Sequence, residues 1–168
     1  MLLISTTTDA NAQRKRVRDL GIDIGIFQTG KWNAITDVSG VEVGHKTLIR
    51  SDHIRTGVTI IKPHSKDIFM NKVLGAVHVI NGFGKSVGLT QIKELGTIET
   101  PIALTNTLNV FLVSDAVVEY MISNNPKIKS VNPVVGETND SGLNDIHGRH
   151  VKKPVSYTHL RAHETPLY

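Results

Sequence analysis

The chain has 168 residues, 39% hydrophobic and 20% charged, with a formal net charge of +4. That is ordinary globular material, long enough for one domain with its own core. The absence of cysteine excludes a disulfide framework and a thiolate metal site, and the eight histidines fall without ligand spacing, so no metal is expected.

Arg14, Lys15, Arg16, Arg18, Lys31 and the amino terminus gather before Trp32. The cluster is short and has no interleaved aromatics, which suits a solvated arm better than a nucleic-acid surface. No apolar run reaches the length of a membrane span, so neither nucleic acid nor membrane is an expected partner. Residues 1–17 read as a leader or disordered arm. The start Met1-Leu2-Leu3-Ile4-Ser5 is apolar but lacks the basic beginning and long apolar stretch of an export signal. A cytoplasmic protein is the default expectation, and a periplasmic or secreted one follows if Met1 lies inside a longer signal.

From Arg18 onward the pattern is of short strands mixed with two helices. Val41 and Val43 alternate with polar neighbours, as in a half-buried strand, and Asp37–Gly40 reads as a hairpin loop before them. A second strand is expected over Thr56–Ile61, ending at Lys62-Pro63, with Arg50–Arg55 as a polar loop between the two. Ala76–Ile80 reads as a third strand running into the glycine-spaced loop Asn81-Gly82-Phe83-Gly84. A helix over Ser86–Leu95 follows, stopped by Gly96. That glycine loop lacks the full phosphate-binding spacing, so its glycines are expected to serve close backbone approach or positive φ. Pro101–Leu104 reads as a buried strand, Thr105-Asn106-Thr107 as cap residues, and Asn109–Ser123 as a helix ended by Asn124-Asn125-Pro126. Such a mixture gives an α/β or α+β layered domain.

The densest chemistry lies in Pro133–Asp145. Val134-Val135 reads as a buried strand end at which Gly136 lets the backbone turn. Glu137, Asn139, Asp140, Asn144 and Asp145 then crowd into a loop too polar to bury without partners. A carboxylate at such a mouth suits a cationic group such as a free amino terminus; a solvated Asx-turn loop is the alternative. His147 and His150 sit three apart, with no third ligand beside them, and read as loop histidines.

Residues 155–168 break with the rest. Val155–Thr165 equals the translation of a common transposon-derived library-adapter end, so the stretch is expected to be an artefact and is set aside. The natural frame is then expected to continue after Pro154.

Taken in order, Arg18-Asp19-Leu20-Gly21, Asn33–Val38 with Gly40-Val41-x-Val43-Gly44-His45, and Thr56-Gly57-Val58-Thr59 form a recognisable series. So do Asn81-Gly82-x-Gly84, Pro101-Ile102-x-Leu104-Thr105-Asn106-Thr107, and Val135–Asp140 with Leu143-Asn144-Asp145. The series resembles the L-aminopeptidase/D-esterase/amidase peptidases, a family that includes the β-peptidyl aminopeptidases. The resemblance implies that residues 18–154 are the amino-terminal part of an α+β domain. That domain would be an αββα four-layer sandwich of the N-terminal-nucleophile-like type, here incomplete. It implies a self-processing serine aminopeptidase acting on small peptide or amino-acid amide or ester substrates, without metal or organic cofactor. The expected partners are a missing carboxy-terminal chain and, when complete, further copies in a homo-oligomer. By residue-wise match Glu137 binds the substrate amine and Asn139 neighbours it. Asn81, Gly82, Gly84, Asn106 and Asp140 stand in possible site loops. No catalytic residue is expected within this chain, so the fragment alone should be inactive and, with sheet faces uncovered, prone to aggregate. Two alternatives remain at this level: an acyltransferase of the ornithine acetyltransferase type with a similar fold, and a non-enzymatic amine-binding domain. Asn139, Ser141, Phe83, Lys85, Asn109 and Phe111 depart from the residues usual in the family.

Overall fold

The computed structural model describes residues 15–152. Its centre is a four-stranded sheet carrying one long helix. β1 (Glu42–Arg50) and β2 (Ile54–Lys62) form a hairpin, β5 (Ile102–Asn106) pairs antiparallel to β2, and β6 (Val134–Thr138) pairs parallel to β5. The order across the sheet is β1-β2-β5-β6. A two-residue ladder joins β3 (Val73–Leu74) to β4 (Thr97–Ile98), and the short helix α1 (Leu89–Leu95) precedes β4. The parallel β5–β6 pair requires a crossover, and α2 (Val110–Asn124) supplies it.

The core lies between that crossover helix and one sheet face. Val110, Val113, Val117 and Met121 of α2 meet Val58 and Ile60 of β2, Ala103 of β5 and Val135 of β6. These residues recur at helical spacing on α2 and at alternate positions on the strands, so each element contributes one apolar face. Leu48, Ile68 and Val151 extend the cluster. Asn109, fully buried at the start of α2, donates from Nδ2 to the Val151 carbonyl at 2.6 Å and ties the last described residues to the helix.

Several expectations change. The β1–β2 loop is Ser51–His53, within the expected polar loop Arg50–Arg55, since β1 and β2 pair as far as Arg50↔Ile54; Asp37–Gly40 is no hairpin, because a 3-10 turn (Ile35–Asp37), not a strand, leads into it. The Asp37 carboxylate takes the backbone N–H groups of Trp32 (2.9 Å) and Ala34 (3.1 Å), which hold its pKa below the ordinary value. Ala76–Ile80 joins no ladder among the described residues, and Val79 and Ile80 stand exposed. α1 starts at Leu89 instead of Ser86, because Gly88 takes a left-handed conformation (φ 89°) just before it. The Thr105-Asn106-Thr107 side chains do not cap α2: Thr105 donates to the Gly57 carbonyl and Asn106 to the Thr56 hydroxyl. Gly136 does not turn the chain, and β6 runs straight through it to Thr138. Gly96 does stop α1, at φ 65° with its N–H on the Ile92 carbonyl. Arg16, inside the stretch read as an arm, is anchored, its guanidinium donating to the Trp32 and Asn33 carbonyls. Residues 1–14 of that arm and the tail 155–168 lie outside the described residues.

Near the start of β5 and β6, buried Glu99 receives Lys72 Nζ at 2.9 Å and both the N–H (2.9 Å) and side-chain amide (3.1 Å) of Asn132. Burial raises its pKa, but the lysine and the two Asn132 donors outweigh it, so the carboxyl titrates below its ordinary value. A depressed acid contributes stability that is present above its unfolded pKa and lost as pH falls through the folded one. Lys72→Met is expected to destabilise by about 1–3 kcal/mol near neutral pH, by leaving a buried carboxylate short of a partner. The loss should shrink as the medium is acidified below the ordinary glutamate range. Urea melts at two pH values check this; equal losses at both would contradict it.

Candidate functional site

β6 ends where the polar stretch begins. Pairing sets Thr105 of β5 opposite Glu137 and Asn106 opposite Thr138. Side chains alternate along a strand, so Glu137 shares the α2 side with Val135 while Asn106 and Thr138 look out from the opposite face. On its other edge β6 is met by the glycine loop's exit: Val87 and Val135 exchange backbone hydrogen bonds of 2.9 and 3.1 Å. That bridge brings Gly84 against the carboxylate, and a Cβ built on Gly84 would stand 2.9 Å from Glu137 Oε1. Glu137 is half-buried, and its Oε2 is enclosed with no hydrogen-bond partner among the described residues. A carboxylate oxygen held away from water with no donor is an unmet acceptor.

On the opposite face lies a shallow trough of about 370 Å³, lined among others by His45, Thr59, Leu104, Asn106, Thr138 and Asp140. His45 Nδ1 and Thr59 Oγ are 2.9 Å apart on it. Asn106 Oδ1 and Asp140 Oδ1 are also enclosed and have no partner among the described residues. The predicted residues therefore divide. Gly84 and Glu137 are brought together beside α2, whereas Asn106 and Asp140 belong to the trough, which Glu137 does not line. A second cleft of about 270 Å³, at the far end of the sheet near Lys62, His64 and Tyr120, contains none of them.

Asn139 is exposed and folds back on its own turn, its Oδ1 accepting the Ser141 N–H at 3.1 Å. Asn81 does likewise with the Phe83 N–H at 3.2 Å. Gly82 has no positive φ and a Cβ built on it would meet nothing within 4 Å, so in this loop Gly84 alone has the close approach expected. Asn144 and Asp145, which crowd the same stretch in sequence, have structural tasks. Asn144 Oδ1 accepts the Arg55 N–H at 3.0 Å, and the Asp145 N–H donates to the His53 carbonyl at 2.7 Å, clasping the loop to the hairpin tip. The Asp145 carboxylate holds His150 Nε2 at 2.9 Å and the Gly148 N–H at 3.3 Å. The histidine and that N–H keep the Asp145 pKa below its ordinary value. Among the described residues no group of three or more His, Asp or Glu is placed to hold a metal. No described helix is long and apolar enough to cross a membrane. Sequence reasoning missed His45 and Thr59 as trough residues, since only the strand register sets them side by side.

Comparison with known proteins adds a consistent set of findings. The profile of Peptidase family S58 matches residues 33–166. A β-peptidyl aminopeptidase, BapA of Sphingosinicella xenopeptidilytica, is 40% identical over 158 residues, which is 88% of this chain and 39% of that protein. A structure from Pyrococcus horikoshii OT3 superposes with a TM-score of 0.83 at 48% identity, over 88% of this chain and 45% of that one. The L-aminopeptidase D-Ala-esterase/amidase of Ochrobactrum anthropi, described as a prototype for the serine aminopeptidases and a new variant among the Ntn hydrolase fold, superposes with a TM-score of 0.76 at 34% identity. It covers 88% of this chain and 44% of that one. The chain thus spans about two fifths of the curated relative's length, and its architecture is an incomplete α+β version of the fold those structures share.

Proposed function

Because the chain belongs to Peptidase family S58, we propose that it forms the amine-recognising part of a self-processing serine aminopeptidase. In this reading Glu137 anchors the substrate ammonium. The observation that carries it is the enclosed, unpartnered Glu137 Oε2 at the carboxyl end of β6. An ammonium supplies charged donors to that oxygen. A blocked, neutral amine supplies less and leaves the carboxylate undercompensated, which is how such a site discriminates. Asn139 lies two residues further along and contributes to the site's rim. In this reading the nucleophile, its assisting groups and the oxyanion donor come from a further length of chain, where the bond-breaking step is supplied. Among the described residues, half-exposed Leu104 on the sheet face away from α2 and the exposed Val79, Ile80 and Phe83 support a further chain segment as partner.

The test is hydrolysis of amino-acid p-nitroanilides. The 168-residue chain alone is expected to give no turnover, and the protein expressed from the uninterrupted frame is expected to give turnover lost on amine acetylation. Turnover by the chain alone, or equal rates on acetylated substrate, would overturn the reading.

A further inference from the structure

We infer that Gly84 is a positioning residue for the Glu137 carboxylate: its missing side chain keeps open the place that Oε1 occupies. The inference rests on the amine-binding reading for its functional consequence, but its geometry stands apart from that reading. Without positive φ, Gly84 has a backbone that alanine can adopt. The three atoms nearest to a Cβ there all belong to Glu137: Oε1 at 2.9 Å, Cδ at 3.7 Å and Cγ at 3.9 Å. A methyl group at this position therefore meets one flexible side chain and no backbone. The carboxylate, not the fold, has to give way. The Val87–Val135 bridge holds the loop against β6 three residues further on, so the loop cannot simply swing clear.

The glycine thus sets where the anion sits, and with it the reach to an incoming ammonium. A neighbour with a side chain would turn the carboxylate out of its enclosed seat and into water, where its grip on a cation weakens. This gives the second glycine of the Asn81-Gly82-Phe83-Gly84 loop a physical task distinct from the first, whose surroundings are open.

Two measurements on the full chain test this. The first needs no ligand: with carboxyl-labelled glutamate, the Glu137 carbon resonance, assigned by its loss in Glu137→Gln, is expected to shift in Gly84→Ala. It should stay in place in Gly142→Ala, where a Cβ meets nothing within 4 Å. The second is calorimetric titration with phenylalanine amide. Gly84→Ala is expected to weaken binding about tenfold in the Glu137 chain and less than twofold in the Glu137→Asp chain, whose shorter acid no longer reaches the methyl group. An unmoved Glu137 resonance in Gly84→Ala, or equal weakening with Glu and Asp at 137, would overturn the inference. If Glu137→Gln bound the amide as the wild type does, the amine-binding reading would fail instead, whatever the resonance showed.

Discussion

Gly88→Ala is expected to destabilise the chain by about 2–4 kcal/mol, a large share of the stability of a small domain. Gly88 has φ 89°, which an alanine adopts only at a cost of about 1 kcal/mol. The larger part is steric. Its Cβ would run into the Pro133 carbonyl and stand 3.1 Å from the Val134 Cα. These are backbone atoms at the entry to β6, pinned by the Val87–Val135 hydrogen bonds next door, so neither side can retreat without breaking the bridge. Gly96→Ala is the matched comparison, because Gly96 also has positive φ but open space around it and should lose only the conformational part. Urea unfolding of both variants measures the difference. Equal losses would mean that the loop and β6 are not packed as described.

Glu137→Gln is expected to lower affinity for an amino-acid amide by about 10- to 100-fold, the worth of one charge-assisted hydrogen bond to an enclosed carboxylate. The substitution keeps shape and removes charge. Because the enclosed Oε2 accepts no hydrogen bond from the described residues, stability should change by less than about 0.5 kcal/mol, or rise slightly. Loss of binding with intact stability separates a recognition residue from a structural one. Binding lost only in step with a falling melt would assign Glu137 to the fold.

What the sequence disclosed, and what it hid, follows from how local each signal is. The crossover helix and its two flanking strands announce themselves by apolar spacing, and the expected Asn109–Ser123 falls within one residue of the observed Val110–Asn124. The β1–β2 loop, Ser51-Asp52-His53, falls inside the expected Arg50–Arg55, but it contains no glycine and Ser51 takes φ 48°, so a hairpin was read instead at Asp37–Gly40. Ser39-Gly40 offered the more familiar turn chemistry. Ala76–Ile80 has the composition of a strand, but a strand is made by its partner, and none stands beside it among the described residues. Gly136 was read for conformational freedom. Its actual reason is lack of bulk, since a Cβ there would stand 2.9 Å from the Leu104 side chain on the neighbouring strand. The site was legible as a crowd of carboxylates and amides. Its division between Glu137 near α2, Asp140 on the open face and Asp145 in the clasp depends on strand alternation and on contacts with the hairpin tip. Both are set by distant parts of the chain. For the same reason the meeting of Gly84 with Glu137 could not be read from spacing, as 53 positions separate them in the sequence.

The central claim is that the acid near the end of β6 holds a free amine. Its most direct test is the carboxyl-carbon resonance of Glu137 followed while the chain is titrated with phenylalanine amide and, in parallel, with the N-acetylated amide. The Glu137 signal is expected to move and saturate with the free amine and to stay still with the acetylated one. A signal that ignores both ligands, or follows both alike, would contradict the account.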